Sequence, residues 1–230
     1  MHPHSYVVKE LADNRTTAPH VLPIYATSSF VFENIDKGVE IFKNIESGHA
    51  YSRYANPTVD TVARKIAGLE TQGLDLEAEA LMTSSGMSAI STLMMSLLRS
   101  GDKVMSQGNL YGGTTELLSA LLQPYGVETI FTDLRDLKGV EALLQTEPAI
   151  RMLYCETPAN PTLACVDIAA LAALARQHEV WTAIDNTFPT PLLQQPFAYG
   201  VDFILHSTTK YLNGHGNSIA GVIVGRDRQL

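Results

Sequence analysis

A single lysine follows what the hydrophobic pattern predicts to be a buried strand. Lys210 comes after the apolar run at 201–206 and lies among hydroxyl-bearing residues and glycines at 207–215. An amine held in a partly desolvated pocket loses its proton more readily and becomes a nucleophile toward an aldehyde. The alternative interpretation is a solvated lysine after a buried strand, since most lysines are exposed.

The hydroxyl groups beside this lysine indicate which aldehyde would bind. Ser207 and Thr209 can hydrogen-bond a phosphate. An aldehyde that carries a phosphate describes pyridoxal phosphate (PLP). Ser207 to Lys210 also fits the S-x-x-K pattern of serine acyl-transfer enzymes, but their S-D-N and K-T-G elements do not occur in the sequence. A nicotinamide-binding G-x-G-x-x-G fingerprint is absent too.

Two further segments supply groups that PLP requires. Asp185 follows the apolar run at 180–184, and a carboxylate there would keep the pyridine nitrogen protonated so that the ring accepts electrons. Residues 84–89 join a predicted strand to a predicted helix, where Gly86 lets the backbone approach an anion and the helix start offers free N–H groups. A capping aspartate and a serine-capped turn are the simpler interpretations.

Three other residues give weaker signals. Tyr111 is followed by two glycines and could stack on a flat ring. Asn160 lies between Pro158 and Pro161, which would fix the loop so that its amide meets a ring oxygen. Arg53 offers a fork of donors suited to phosphate. A plain turn, a rigid loop and an exposed arginine would explain the three residues equally well.

Alternating apolar runs predict the elements that position these groups. From residue 58 the pattern indicates an α/β fold, with a mainly parallel sheet covered by helices on both faces. The predicted strands are 80–82, 103–106, 128–131, 151–155, 181–184, 203–206 and 219–224. The predicted helices begin near residues 58, 86, 113, 137, 168 and 192. Because the motifs follow strands, we expect them to meet at the carboxyl edge of the sheet.

The N-terminal quarter of the chain has a different character. Residues 1–57 combine several prolines with scattered aromatics, so we expect an arm that contacts a neighbouring subunit, with a short helix over 36–45. Residues 58–230 are then the cofactor-binding domain. The chain stops just after a predicted strand, with no terminal helix, which suggests that a smaller C-terminal domain is missing.

Composition excludes some classes of protein. The net charge is −8, from 16 basic and 24 acidic residues, which disfavours a general role on nucleic acid or on anionic membranes. The uncharged segment 80–98 is near membrane length, but its Ser and Thr content favours a strand followed by a buried helix. Cys155 and Cys165 lack C-x-x-C spacing, which indicates reduced thiols in a cytoplasm. A disulfide between the two is the alternative. We expect no metal site, and His2 and His4 are not expected to be ligands.

Taken together, the motifs resemble those of the Cys/Met-metabolism PLP-dependent enzymes. This group contains cystathionine γ-synthase, cystathionine γ-lyase, methionine γ-lyase and the homoserine-ester sulfhydrylases. The resemblance covers nearly the whole chain, through residues 51–53 with 56–58, 85–89, 110–112, 156–161, 185–187 and 207–215. It implies an aspartate-aminotransferase-like fold, a homodimer or homotetramer with shared active sites, and γ-replacement or γ-elimination on sulfur amino acids or homoserine esters.

The resemblance also implies a role for each site residue. The lysine at Lys210 holds PLP, the aspartate at Asp185 pairs with the pyridine nitrogen, and the tyrosine at Tyr111 stacks on the ring and assists proton transfer. The other implied cofactor contacts are the backbone of Gly86 and Met87 with the side chains of Ser207 and Thr209 at the phosphate, Asn160 at the ring hydroxyl, and Tyr51 and Arg53 at the phosphate of the neighbouring subunit.

The chain departs from the family pattern in two respects. In the family, a smaller C-terminal domain carries the arginine that grips the substrate carboxylate, so this 230-residue form is expected to bind substrate poorly or not at all. An inactive fragment is therefore an alternative to an enzyme. Methionine γ-lyases typically have a cysteine directly after the Tyr-Gly pair, and this chain has Gly113 there. That difference favours a cystathionine γ-synthase, a cystathionine γ-lyase or a sulfhydrylase, with methionine γ-lyase as the alternative.

Overall fold

The computed structural model describes residues 20–43, 45 and 47–226. It divides into two compact units, the first ending at Ile66 and the second beginning at Ala67. The boundary between the units lies nine residues beyond the division that the sequence suggested after residue 57, and the assignment of an intersubunit arm stays a prediction. His2 and His4 lie outside the described residues.

Side-chain hydrogen bonds cap the starts of the first two helices. Helix α1 spans Ile35–Phe42, where 36–45 had been predicted, and its N-cap Asn34 accepts a hydrogen bond from the backbone N–H of Lys37. Helix α2 spans Pro57–Glu70 and begins with proline, whose missing N–H costs nothing in the first turn. The Asn56 side chain accepts from the backbone N–H of Thr58 at 2.9 Å, so it satisfies one donor of this helix start.

The second unit is built on one seven-stranded sheet. Its strands are β1 Ala78–Thr83, β2 Lys103–Ser106, β3 Glu128–Phe131, β4 Ile150–Glu156, β5 Trp181–Asp185, β6 Phe203–His206 and β7 Gly221–Arg226. The order across the sheet is β1-β7-β6-β5-β4-β2-β3. Strand β7 runs antiparallel to both of its neighbours, and the other pairs are parallel. The predicted mainly parallel sheet is therefore confirmed.

Five helices of the second unit alternate with these strands. They are α3 Gly86–Leu97, α4 Gly112–Glu116, α5 Leu137–Thr146, α6 Ile168–Gln177 and α7 Thr190–Leu193. The chain continues from α4 into a π-helical turn, Leu117–Leu121. The buried face of α3, which carries Ile90 and Leu93, belongs to the same core cluster as Phe203 and Leu205 of β6. Burial of this apolar surface stabilises the packing of helix on sheet.

The last strand was predicted two residues too early. The prediction of 219–224 relied on the apolar Ile219, but the ladder with β1 begins at Gly221, which pairs with Thr83. Ile219 is 74% exposed and lies outside the strand. The uncharged segment 80–98 forms the end of β1 and then α3, as predicted. Within the described residues, no helix combines the length and apolarity needed to cross a membrane.

Candidate active site at the carboxyl edge of the sheet

A cavity of about 300 Å³ opens where the motifs converge, at the carboxyl ends of β1, β4, β5 and β6. This volume is at the lower end of the usual range for small-molecule sites. Eight of the ten predicted site residues line it: Gly86, Met87, Tyr111, Asn160, Asp185, Ser207, Thr209 and Lys210. Its other lining residues are Ser85, Ile90, Thr114, Glu156, Pro158, Thr187, Phe188 and Ile219.

Lys210 stands in the cavity wall at the end of the loop that follows β6. Its backbone N–H donates to the carbonyl of Ser207 at 3.1 Å, and a short 3₁₀ turn, Tyr211–Asn213, begins directly after it. Within the described part of the chain, its side chain makes no hydrogen bond or ion pair. The residue is exposed, contrary to the partly desolvated lysine that the sequence suggested. Its amine is accessible and uncommitted within this cavity.

One corner of the cavity has the groups that bind a phosphate. The twelve-residue helix α3 begins there, with Ser85 as its N-cap accepting from the backbone N–H of Ser88 at 3.0 Å. A Cβ atom on Gly86 would lie 2.6 Å from the Cβ of Ser207, so only glycine allows this close approach. The free N–H groups of the helix start and the nearby hydroxyl of Ser207 are suited to an anion. Thr209 lines the same cavity, but its hydroxyl donates to the carbonyl of Ala220 at 3.1 Å.

Asp185 ends β5 and presents a carboxylate to the cavity. It accepts from the backbone N–H of Thr187 at 3.0 Å, and the hydroxyl of Tyr154 lies 3.5 Å from its other oxygen. Burial raises the pKa of the Asp185 carboxyl above its ordinary value, although the hydrogen bonds from Thr187 and the nearby His206 oppose that shift. No cationic side chain among the described residues forms an ion pair with it, so the carboxylate can pair with a cationic ligand group.

Glu156 is a site residue whose role the sequence did not reveal. It ends β4, is only 7% exposed, and lines the same cavity. One carboxylate oxygen accepts from the backbone N–H of Tyr111 at 2.8 Å, and the other accepts from the backbone N–H of Asn160 at 2.9 Å. Burial raises the pKa of this carboxyl, and Asp185 adds to the effect. A carboxylate directly after a predicted strand, as at Asp185, was the signal available.

A second group of buried polar residues lies behind the cavity wall. His206 Nε2 and Glu70 Oε1 are 2.5 Å apart, and both side chains are fully buried. Asn186 donates from Nδ2 to the same Glu70 oxygen at 3.0 Å, and the amide of Gln194 donates to Asn186 Oδ1 at 2.9 Å. His206 directly precedes Ser207, and Asn186 directly follows Asp185. The network therefore fixes the chain beside two of the cavity residues.

Tyr51 and Arg53 are the predicted site residues that belong to the first unit. The Arg53 guanidinium lies 5.4 Å from the ring centroid of Tyr51 and 4.9 Å from that of Tyr54. All three side chains are exposed. The assignment of Tyr51 and Arg53 to the phosphate of a neighbouring subunit stays a prediction.

Both cysteines are unpaired, and the described residues contain no cluster that could bind a metal ion. Cys155 is buried and Cys165 is exposed, and both are free thiols. Burial raises the pKa of the Cys155 thiol, which keeps it protonated and unreactive. Among the described residues, no group of three or more His, Cys, Asp or Glu side chains could hold a metal ion.

The donor set of the cavity fits PLP. The accessible amine of Lys210 suits the aldehyde, and the corner formed by Gly86 and Ser207 suits the phosphate. The half-buried carboxylate of Asp185, which forms no ion pair among the described residues, suits a protonated pyridine nitrogen. Fold and cavity thus define an α/β enzyme of the PLP-dependent class.

Comparison with known proteins assigns the chain to a family within that class. The family model described as Cys/Met metabolism PLP-dependent enzyme matches residues 5–230. The chain belongs to this family, as the sequence motifs predicted. The family assignment displaces the serine acyl-transfer alternative for Ser207 to Lys210.

Individual relatives agree with this assignment. L-methionine γ-lyase of Pseudomonas putida is 41% identical over 206 residues, which is 89% of this chain and 50% of that protein. The crystal structure of an O-acetylhomoserine (thiol)-lyase of Campylobacter jejuni, which contains N′-pyridoxyl-lysine-5′-monophosphate, matches with a TM-score of 0.90 at 31% identity, over 99% of this chain and 54% of that one. Cystathionine γ-lyase of Lactobacillus plantarum, complexed with L-serine, matches with a TM-score of 0.85 at 36% identity, over 98% and 55%.

These matches confirm the fold that the sequence predicted, since the solved structures share it over almost the whole chain. The chain spans about half the length of the curated relatives that it matches.

Proposed function

We propose that this chain is the cofactor-binding part of a PLP-dependent enzyme that performs γ-elimination or γ-replacement on sulfur amino acids or homoserine esters. The observation that carries the proposal is the single cavity lined by Lys210, Asp185 and the phosphate corner at Gly86 and Ser207. The activities named for the relatives, a methionine γ-lyase, an O-acetylhomoserine (thiol)-lyase and a cystathionine γ-lyase, fall within this range.

The residues divide the binding of the cofactor among them. PLP, when bound, supplies an aldehyde that condenses with amines and a ring that accepts electrons. Lys210 would hold its aldehyde group, and Asp185 would keep its ring nitrogen protonated. The N–H groups of Gly86 and Met87, with Ser207 and Thr209, would hold its phosphate.

Lys210 also serves as the base for the substrate. With the substrate amine held in its place, the Lys210 amine would be free to take the α-proton and to deliver a proton elsewhere on the substrate. Loss of a β-proton would accompany departure of the γ-substituent as a thiol or an acylate. Replacement would add an incoming thiol at the γ-carbon, and elimination would take up one water and yield an oxo acid and ammonia.

Tyr111 and Asn160 orient the reacting groups. Tyr111 is 51% exposed at the cavity, so its ring is available to stack on a flat ligand, and its hydroxyl to assist proton transfer. The amide of Asn160 is assigned to the ring hydroxyl. Both residues lie on loops that follow strands, and Glu156 joins those loops.

The quaternary arrangement is part of the proposal. We assign a homodimer or homotetramer in which Tyr51 and Arg53 reach the cofactor phosphate of a neighbouring subunit. The stacking of Arg53 against Tyr51 supports a shared surface, because both side chains are exposed and mutually oriented.

A cytoplasmic location is also part of the proposal, since the buried Cys155 and the exposed Cys165 are free thiols.

Gly113 favours the homoserine-ester and cystathionine activities over methionine elimination. A Cβ atom at Gly113 would lie 2.9 Å from Cε1 of Tyr111 and 3.2 Å from the sulfur of Met87. A cysteine side chain at residue 113 would therefore require the exposed Tyr111 ring to shift. Methionine γ-lyase remains the second candidate because a relative with that name is 41% identical.

Product analysis of the natural-length, PLP-loaded protein tests the proposal. L-cystathionine, L-methionine and O-acylhomoserines are supplied in turn, with and without a thiol. Oxo acid and ammonia report elimination, and a new thioether reports replacement. Activity on at least one of them that disappears in Lys210→Ala is the expected result. Failure to convert any of them, with PLP bound, would contradict the proposal.

A further inference from the structure

We propose that Glu156 is a positioning residue that holds the Tyr111 loop and the Asn160 loop at the spacing the cofactor requires. The inference rests on the proposed PLP site and deepens it. It concerns a side chain for which the sequence suggested no role. Glu156 acts through the backbone of two other residues and needs no contact of its own with the cofactor.

The contacts of Glu156 join two loops that the chain separates widely. Its Oε2 accepts from the N–H of Tyr111 at 2.8 Å, across 45 residues, and its Oε1 accepts from the N–H of Asn160 at 2.9 Å. Tyr111 immediately precedes α4, and Asn160 lies in the loop after β4. One carboxylate therefore sets the distance between a ring-stacking residue and a residue assigned to the ring hydroxyl.

Further contacts anchor Glu156 itself. Its backbone carbonyl accepts from the side-chain amide of Gln107 at 2.8 Å, and its Cα pairs with that of Asp185 between β4 and β5. Glu156 thus links the three residues assigned to the face, the hydroxyl and the nitrogen of the PLP ring. Its carboxylate bonds to the backbone of Tyr111 and Asn160, and strand pairing places it beside Asp185.

The two hydrogen bonds of Glu156 require that both of its side-chain oxygens act as acceptors. Both partners are N–H donors, so the ionised carboxylate, which only accepts, satisfies both. Burial raises the pKa of Glu156, and the two backbone hydrogen bonds oppose that shift by favouring the charged form. Glutamine has the same shape but would direct an amide N–H at one of the two N–H donors. Glu156→Gln therefore breaks one of the two loop contacts without creating a cavity.

The experiment compares PLP binding in four forms of the natural-length protein, each stripped of cofactor. The forms are wild type, Glu156→Gln, the double variant Tyr111→Ala with Asn160→Ala, and the triple variant that combines these. PLP is titrated while near-visible absorbance and the visible circular dichroism of the bound cofactor are recorded. Glu116→Gln is the matched control, because Glu116 is exposed on α4 and has no partner among the described residues.

The expected results separate positioning from a general structural role. Glu156→Gln should raise the PLP dissociation constant by roughly tenfold or more, as loss of a charge-assisted hydrogen bond predicts, and should alter the circular dichroism band. Glu116→Gln should do neither. In the double-variant background the same Glu156→Gln change should cost much less affinity, because the residues it positions have been removed.

Three outcomes would overturn the inference, and a fourth would overturn the function beneath it. The inference fails if Glu156→Gln binds PLP like wild type, or leaves the dichroism band unchanged. It fails equally if the affinity cost is the same in both backgrounds, because that pattern belongs to a purely structural residue. If wild type itself gives no cofactor absorbance, the proposed PLP site is wrong.

Discussion

Gly86 and Ser207 approach so closely that a side chain on Gly86 has no room. A Cβ atom built there would lie 2.6 Å from Ser207 Cβ and 2.9 Å from Ser207 Cα, and the second of these atoms belongs to the backbone. The start of α3 and the loop after β6 therefore meet directly. This contact brings free helix N–H groups and the Ser207 hydroxyl to one corner of the cavity.

Gly86→Ala should damage the phosphate corner selectively. The added methyl group must push the two loops apart, and overpacking of this kind costs about 1–3 kcal/mol. We expect the dissociation constants for PLP and for inorganic phosphate to rise roughly tenfold or more. Titration by absorbance and by calorimetry checks both. Gly108→Ala is the control, because a Cβ there meets nothing within 4 Å. Equal affinities in the two variants would contradict the role of this contact.

Asp185→Asn should stabilise the cofactor-free protein while weakening cofactor binding. Because burial raises the pKa of Asp185 in the folded state, its contribution to stability is fully present below the unfolded pKa and is lost as pH rises through the folded pKa. Asparagine avoids that loss and can still accept from the Thr187 N–H.

The measurement is urea unfolding of both cofactor-free proteins across the acid-to-neutral range. We expect the advantage of the variant to grow as pH rises, while its PLP affinity falls by an order of magnitude or more, because the ring nitrogen loses its counter-charge. A variant that is less stable than wild type at neutral pH, or that binds PLP normally, would argue against this account of Asp185.

Glu70 should matter more for stability than any surface carboxylate. Removing one partner from a buried pair such as Glu70 and His206 costs about 3–5 kcal/mol, because the other partner is left buried and unpaired. Glu70→Ala should therefore lose about that much in urea unfolding. Glu70→Gln should lose less, since its amide oxygen can still accept from His206 and Asn186. Indistinguishable unfolding of wild type and Glu70→Ala would show that the pair has no net effect.

Much of the site could be predicted because parallel strands align their carboxyl ends. Asp185 and Lys210 are 25 residues apart in the chain. The apolar run before Asp185 and the one before the loop of Lys210 form β5 and β6, which pair in parallel. Strands β2, β3 and β6 lie where the sequence predicted them.

Other features depend on contacts that no local pattern contains. Glu70 and His206 are 136 residues apart, and nothing in either segment indicates that they meet. The bridging role of Glu156 depends on two backbone N–H groups, which carry no sequence signal. The exposure of Lys210 depends on what surrounds its loop, whereas the hydrophobic run before it suggested a buried setting.

The central claim is that Lys210 holds the cofactor, and chemical trapping tests it most directly. Borohydride reduction of the natural-length, PLP-loaded protein fixes any imine as a stable secondary amine, and peptide mass spectrometry then locates it. We expect the mass of the pyridoxyl-phosphate adduct on the peptide that contains Lys210. In Lys210→Ala we expect no adduct on that peptide, and no near-visible absorbance from the protein. Stoichiometric labelling of a different lysine, with Lys210 unmodified, would contradict the account.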